Sequence, residues 1–382
     1  MKSNLRLTLL LILPLGWIEA TPGVAAGATP PLRVVLAGLR HGHVSGFLRS
    51  LDPQVIELVG LWEESEPVWE KFRSRPQLAA VHRFSSLGEA IDQTRPEAVW
   101  VFSDTRTHLE IVRTAAVRGV DTIVEKPLAI SWRDAVEMSD LAGKHSTLVL
   151  TNFETSWYPA FVEAKAALAA PGQVGRPRQL YVQAGHNGPA RRGTSPEFLE
   201  WLRDPERAGG GALFDFGCYG ANLATWWLDN RPPESVSASL SRFDPVSYPD
   251  CDDHATIHLV YPDLQVTCIG SWQWPYARKD AALYGERGSL VTLNDRRYRI
   301  RSAQATQDEE REAVTERRNA HRWYAATVRA GHDPVENPSS LANNLIVMKI
   351  LEAARRSAAE RRTIPLTEIT DPRTDTTPRP GP

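Results

Sequence analysis

Arg33-Val34-Val35-Leu36-Ala37-Gly38-Leu39-Arg40-His41-Gly42-His43-Val44-Ser45-Gly46 is the stretch that decides the fold. An unbroken apolar run stops at a glycine and enters a polar turn containing two more. Continuous apolar residues, rather than alternating ones, mean a strand buried on both faces, as helix-covered parallel sheets require. Working outward, the unit recurs: strands are expected at 55–62, 98–102, 122–124 and 147–150, with helices at 43–51, 66–72, 87–94, 108–118 and 133–145. Repeated strand–helix units of this length predict a doubly wound parallel α/β (Rossmann) domain over 31–150.

Beyond residue 150 the pattern changes. Strands are expected at 178–183, 235–241, 255–261, 265–272, 280–284 and 288–293, with helices at 160–168, 196–203, 220–228, 309–329 and 340–360. Gln265 to Trp272 alternates polar with apolar residues, as half-exposed antiparallel strands do. This half, 151–366, reads as an α+β substrate domain on an open, mostly antiparallel sheet. The Thr-, Pro- and Arg-rich tail at 367–382 is expected to be disordered.

The 382 residues fit two domains of roughly 150 residues each plus extensions. With 44 basic against 46 acidic residues the net charge is −2, which argues against a nucleic-acid partner, since that needs a basic face. Three cysteines, none in a CxxC pair, cannot build a disulfide framework or a structural zinc site. Residues 1–28 read as a signal peptide: Lys2 and Arg6 precede an apolar run at 7–18, and small residues offer cleavage after Ala26 or Ala28. A secreted or periplasmic protein is the expectation, with no membrane span after cleavage, because no later segment is long and apolar enough.

The turn at Gly38 opens a helix, where backbone amides can meet a phosphate. It departs from G-x-G-x-x-G, with Arg40 and His43 at the second and third glycine positions and glycine instead at 42 and 46. Glu63, just past the second strand, is suited to accept from a ribose diol and to repel a 2′-phosphate, which favours NAD, with NADP possible. The candidate cofactor residues are Gly38, Arg40, His41, Gly42, His43, Glu63, Ser103, Thr105, His108, Glu125, Lys126 and Asn152. Asp250-Cys251-Asp252-Asp253-His254 invites a metal reading, but adjacent strand residues point to opposite faces, and no metal site is expected.

Two further runs carry a resemblance. Thr122-Ile123-Val124 leads into Glu125-Lys126-Pro127-Leu128, and Gly209-Gly210-Gly211-Ala212-Leu213-Phe214-Asp215-Phe216-Gly217-Cys218-Tyr219 follows. A Glu-Lys-Pro strand end followed by Gly-Gly-Gly-x-Leu-x-Asp-x-Gly resembles the glucose–fructose oxidoreductase / inositol dehydrogenase (Gfo/Idh/MocA) family over residues 33–366. That pattern commonly continues to histidine where this chain has Tyr219, which is similar to the glucose–fructose oxidoreductase and dihydrodiol dehydrogenase branches. The resemblance implies a homo-oligomer joined through the open sheet.

Hydride transfer at a carbinol carbon needs a group that exchanges the hydroxyl proton. Lys126, at the carboxyl end of a parallel strand, lies where doubly wound sheets bind ligands and can hold the reacting oxygen. Asp215 and Tyr219, four apart, would share a helical face, with Asn222 continuing it. Tyr219 reads as the proton donor or acceptor, and Asp215 as its orienting partner or a substrate ligand. His186, in a polar loop after a strand, is a second acid/base candidate. Of 12 tryptophans, Trp201, Trp226, Trp227, Trp272 and Trp274 fall in the substrate half. Aromatic faces stack on sugar rings, so Trp157, Trp201, Trp272 and Trp274, with Asn222, are candidate substrate contacts.

These readings converge on an exported NAD(P)-dependent oxidoreductase acting on a small-molecule carbohydrate or polyol. Free NAD is scarce outside the cytoplasm, so a tightly held cofactor is expected. The alternative is an NAD-dependent glycoside hydrolase or lyase that oxidises a sugar hydroxyl transiently. A catalytically dead binding protein fits Lys126, Asp215 and Tyr219 poorly.

Overall fold

The computed structural model describes residues 29–170, 173–316 and 319–374. The expected signal peptide and residues 375–382 of the tail lie outside them.

Six parallel strands form the first sheet: β1 (Leu32–Ala37), β2 (Ile56–Trp62), β3 (Arg83–Phe84), β4 (Ala98–Val101), β5 (Asp121–Glu125) and β6 (Val149–Asn152), in the order β3-β2-β1-β4-β5-β6. Helices α1 (Val44–Arg49), α2 (Glu66–Phe72), α3 (Leu87–Thr94), α4 (His108–Ala116) and α5 (Trp132–His145) connect them. The Ser86 and Ser131 hydroxyls accept the Glu89 and Asp134 amides, capping α3 and α5 as Ser-x-x-acid sequences do. Strand order reverses between β1 and β4, so a ligand crevice opens above their carboxyl ends.

The second sheet has nine strands: β7 (Pro177–Gly185), β8 (Ser235–Ser241), β9 (His254–Val260), β10 (Gln265–Ser271), β11 (Arg278–Gly285), β12 (Gly288–Thr292), β13 (Arg297–Ser302), β14 (Glu309–Glu312) and β15 (Ile364–Pro365). Their order is β14-β13-β12-β11-β7-β10-β9-β8-β15, with β7 and β10 parallel and the other pairs antiparallel. The helices of this half are α6 (Pro159–Ala169), α7 (Pro196–Leu202), α8 (Pro205–Ala208), α9 (Ala212–Asp215), α10 (Gly217–Trp227), α11 (Ala320–Ala330) and α12 (Leu341–Glu360). Every residue of α10 is buried, and it lies against β10 so closely that a Cβ on Gly220 would come within 2.5 Å of Cys268 Cβ. On the opposite face, alternation leaves Tyr181 and Tyr284 exposed in edge-to-face contact.

Three expectations are corrected. Residues 309–329 are not one helix: Glu309–Glu312 pairs with β13, where Arg297 meets Glu310 and Arg299 meets Asp308. Opposite charges across a hairpin look, in one dimension, like the charge mixture of an exposed helix. Residues 367–374 are ordered, because Ile369 is buried and the Trp132 indole N–H donates to the Thr370 carbonyl. Finally, Asp215 and Tyr219 do not share a helix. Asp252 accepts the Gly211 and Leu213 amides, α9 ends at Asp215, and a single turn residue, Phe216, separates it from α10.

The last third of the chain returns to the first sheet. On α11, Tyr324 packs edge-on against Trp100 and Trp157 and donates its hydroxyl to the Thr151 carbonyl, while His321 packs against Phe47 and Trp100. Among the described residues no helix is long and apolar enough to cross a membrane.

Candidate functional site

Gly38 follows β1 with φ +82°, a conformation costly for any residue with a Cβ. A Cβ there would also lie 2.8 Å from the Ser103 backbone, so the turn lies hard against the segment after β4. Neither the Arg40 nor the Gly42 amide donates to another group among the described residues. Gly38, Arg40, Glu63, Glu64, Ser103, Asp104 and Thr107 line a small cavity beside this turn. Glu63 sits there, but not as a free lip residue. It is 2% exposed, one oxygen accepts the Leu39 amide at 2.7 Å, the other accepts the Ser65 amide at 2.8 Å, and Arg40 lies 3.6 Å away. Arg40, which also lines the cavity, is ion-paired with Glu63 and Glu64. A glycine turn at the switch point with undonated amides and an acidic wall fits a dinucleotide without a 2′-phosphate.

Past the turn, Glu125 ends β5 fully buried. It accepts from the Asn152 amide at 2.7 Å and pairs with His43 Nδ1 at 2.8 Å. His41 Nδ1 accepts the His43 amide, and burial, then His43, Lys126 and His108, hold this imidazole well below its ordinary pKa. His41, His43 and Glu125 bring their ligand atoms within 4.8 Å of one another. Their mutual hydrogen bonds and the nearby Lys126 charge account for that arrangement without a cation. Thr105 and His108 are buried beneath this wall; His108 Nδ1 bonds the Leu128 carbonyl.

Lys126 and Asp215 form a buried ion pair, and the ammonium also donates to the Asp215 carbonyl at 3.1 Å. Burial alone would lower the Lys126 pKa, but the Asp215 carboxylate, with Cys218 and Glu125, outweighs it and holds the ammonium above its usual range. The Asp215 carboxyl, which burial would raise, is held low by that same ammonium, with help from His186 and Trp272. Its second oxygen accepts the Trp272 indole N–H at 2.8 Å. The Lys126 ammonium lies 5.2 Å from the ring centre of Tyr219, whose phenol is pushed far up by burial, then by Glu154, Cys218, Asp215 and Glu125. His186 packs against Phe216 and is held neutral at about 4, chiefly by burial. Its Nδ1 accepts the Gly188 amide at 2.9 Å, which leaves Nε2 carrying the proton. His186, Phe216, Glu154, Arg192 and Lys279 line an open pocket of about 570 Å³.

The expected substrate contacts are mostly corrected. Trp157 is buried against Trp323 and Tyr324 and donates to Asn152. Trp201 is buried against His41 and Phe198. Asn222 donates to the Pro338 carbonyl and to Asn343, tying α10 to α12. Trp272 has no exposed surface and serves Asp215 instead. Packing claimed these side chains because indoles are large enough to fill a core. Only Trp274 is partly exposed, with the Arg278 guanidinium 5.3 Å from its ring centre. Lys279 and Glu154 were missed. Glu154 lies two residues past the candidate Asn152, but nothing in the sequence pairs it with a residue 125 positions away.

The fold and this site together define a two-sheet protein of the dinucleotide-binding class, with an ammonium–carboxylate–phenol cluster between crevice and pocket. An oxidoreductase family model with an NAD-binding Rossmann fold matches residues 32–153, and the GFO/IDH/MocA C-terminal domain model matches 161–291. The chain belongs to the Gfo/Idh/MocA oxidoreductase family. It is 26% identical over 176 residues to a D-xylose 1-dehydrogenase (NADP+) from Haloarcula marismortui, covering 46% of this chain and 48% of that protein. It is 28% identical over 209 residues to a myo-inositol dehydrogenase from Streptomyces leeuwenhoekii, covering 54% and 60%. The chain spans about half the length of the curated relatives it matches. An aldose-aldose oxidoreductase from Caulobacter crescentus, crystallised with glycerol, shares the fold with a TM-score of 0.73 at 18% identity, over 88% of this chain and 99% of that one.

Proposed function

We propose that this protein is an NAD(P)-dependent oxidoreductase that transfers hydride to or from a hydroxyl-bearing carbon of a carbohydrate or polyol, with NAD the favoured cofactor. The observation that carries this reading is the Lys126–Asp215 pair beside Tyr219, at the carboxyl end of β5 and next to the open pocket. The turn at Gly38 would hold the diphosphate, the Glu63 wall the adenosine ribose, and Glu125 with Asn152 the nicotinamide end. Bound there, the nicotinamide supplies or takes the hydride.

The chain's own residues handle the proton. An ammonium has three donors; Lys126 directs two to Asp215 and keeps one for the reacting oxygen, where it stabilises developing negative charge. Tyr219, held protonated by its burial, gives its proton to the carbonyl oxygen in reduction and receives it in oxidation. Asp215, with both oxygens occupied, orients Lys126. His186 presents Nε2–H to a substrate oxygen, and as a neutral donor it is neither an imidazolium acid nor a ready base. That weighs against the hydrolase or lyase reading, which needs a further acid/base group.

The basic and apolar leader motivates export, and export motivates a retained cofactor. The test is to purify the mature protein, identify any released nucleotide by mass, and screen xylose, glucose and myo-inositol by nicotinamide absorbance with NAD added. Turnover supports the reading. Release of nitrophenol from p-nitrophenyl glycosides without sugar oxidation would replace it with the hydrolase.

A further inference from the structure

A second ammonium faces Tyr219. Lys279 Nζ lies 4.5 Å from the ring centre, closer than Lys126 at 5.2 Å. Lys279 is the second residue of β11, opposite Ala184 of β7, and it ion-pairs with Glu154 in the turn after β6. Glu154 also accepts the Tyr158 hydroxyl at 2.8 Å, and its carboxyl is held down at about 2: burial would raise it, but Lys279, with the Tyr158 hydroxyl and His43, outweighs that. Phe153 edge-on and Phe216 roughly parallel complete the surroundings of the phenol ring.

The groups around the phenol pull in opposite directions. Burial and the carboxylates of Glu154, Asp215 and Glu125 favour the neutral form, as does Cys218. The two ammonium groups over the ring, Lys126 and Lys279, favour the phenolate. Lys126 is ion-paired at close range with Asp215, both side chains nearly buried. Lys279 is also ion-paired, but it is the ammonium nearer the ring, its side chain is 19% exposed, and its counter-charge Glu154 is 42% exposed.

We propose that Lys279 is a positioning residue for proton transfer at Tyr219, its ammonium stabilising the phenolate while Glu154 limits how much of that charge the ring feels. This rests on the oxidoreductase reading for its purpose but not for its test. In the reductive direction the Tyr219 O–H bond breaks, the proton joins the product oxygen, and the phenolate left behind is held by Lys126 and Lys279 until it takes a proton from water in the pocket.

The experiment places difluorotyrosine, a more acidic phenol, at position 219 of the full-length protein and follows its ionisation by fluorine NMR. No substrate or turnover is needed, so failure of the oxidoreductase reading leaves the result interpretable. Lys279→Met is expected to raise the midpoint by about one unit, a tenfold gain in proton affinity, with Lys279→Arg restoring it. Glu154→Gln, which keeps the turn's size, is expected to lower the midpoint. If Lys279→Met does not fold, Glu154→Gln decides. A midpoint unchanged in Lys279→Met, or in Glu154→Gln where the Met variant does not fold, would overturn the proposal.

Discussion

At the residue scale, Asp215 is the pivot, and what it needs most is its second hydrogen bond. One oxygen serves Lys126 and the other takes the Trp272 N–H, in a nearly buried site. Trp272→Phe keeps most of the aromatic bulk but leaves a buried carboxylate oxygen without a donor. A hydrogen bond to a charged group is worth about 1.5–3 kcal/mol. If that loss falls on the aim of Lys126, kcat should drop by about tenfold or more while the cofactor is retained. Steady-state kinetics with nucleotide content measured alongside checks this; unchanged kcat would show that Asp215 is oriented without Trp272. Lys126, Asp215 and Tyr219 were legible in the sequence because each sits at a fixed offset from glycine or proline, whose backbone demands are local. Trp272 was legible only as an aromatic face. Its use of the indole N–H depends on a strand end meeting the end of α9, which no local pattern encodes.

At the element scale, the turn after β1 shows how little of a binding loop is carried by side chains. The expected glycine fingerprint was incomplete, yet Gly38 alone has the positive φ and the close approach to Ser103 that the turn requires. Gly38→Ala would place a Cβ 2.8 Å from the Ser103 backbone in an already unfavourable conformation, so the turn must shift away from β4. The expected result is a protein that still unfolds cooperatively but binds NAD at least about tenfold more weakly, since that takes only about 1.4 kcal/mol. Calorimetric titration with NAD checks it, and wild-type affinity would mean the amides here do not hold the diphosphate. The parallel strands were readable because burial on both faces leaves an unbroken apolar run. Strand β14 was not: it sits at the sheet's edge, and its stability comes from Arg–acid pairs across to β13, a partner pattern rather than a periodicity.

At the scale of the whole molecule, the two sheets are tied in several places. Asp104 after β4 pairs with Arg207 of α8, Lys71 of α2 with Glu197 of α7, and Phe198 covers Gly42 of the turn after β1. Helix α11 is a further tie, bringing His321 onto Phe47 and Trp100. Burial there holds His321 at about 4 against an ordinary 6.5, although Asp52 and the Ser50 backbone pull the other way. The unfolded chain takes up this proton as pH falls through 6.5, whereas the folded chain resists until about 4. The contribution of His321 to stability therefore rises with pH across that window and is lost on acidification. His186 acts in the same sense, while Asp121 and Asp252, each raised to about 6 mainly by burial, act in the opposite sense below 6. The wild-type profile alone thus cannot isolate one group, but a difference can. His321→Phe keeps an aromatic ring in the pocket and removes the titration, so its stability relative to wild type should climb by up to about 3 kcal/mol as pH falls from 6.5 toward 4. Urea unfolding across that range measures it. Two parallel curves would mean that the α11 contact opens to water before the protein unfolds, and that His321 never pays the burial cost on which the tie depends.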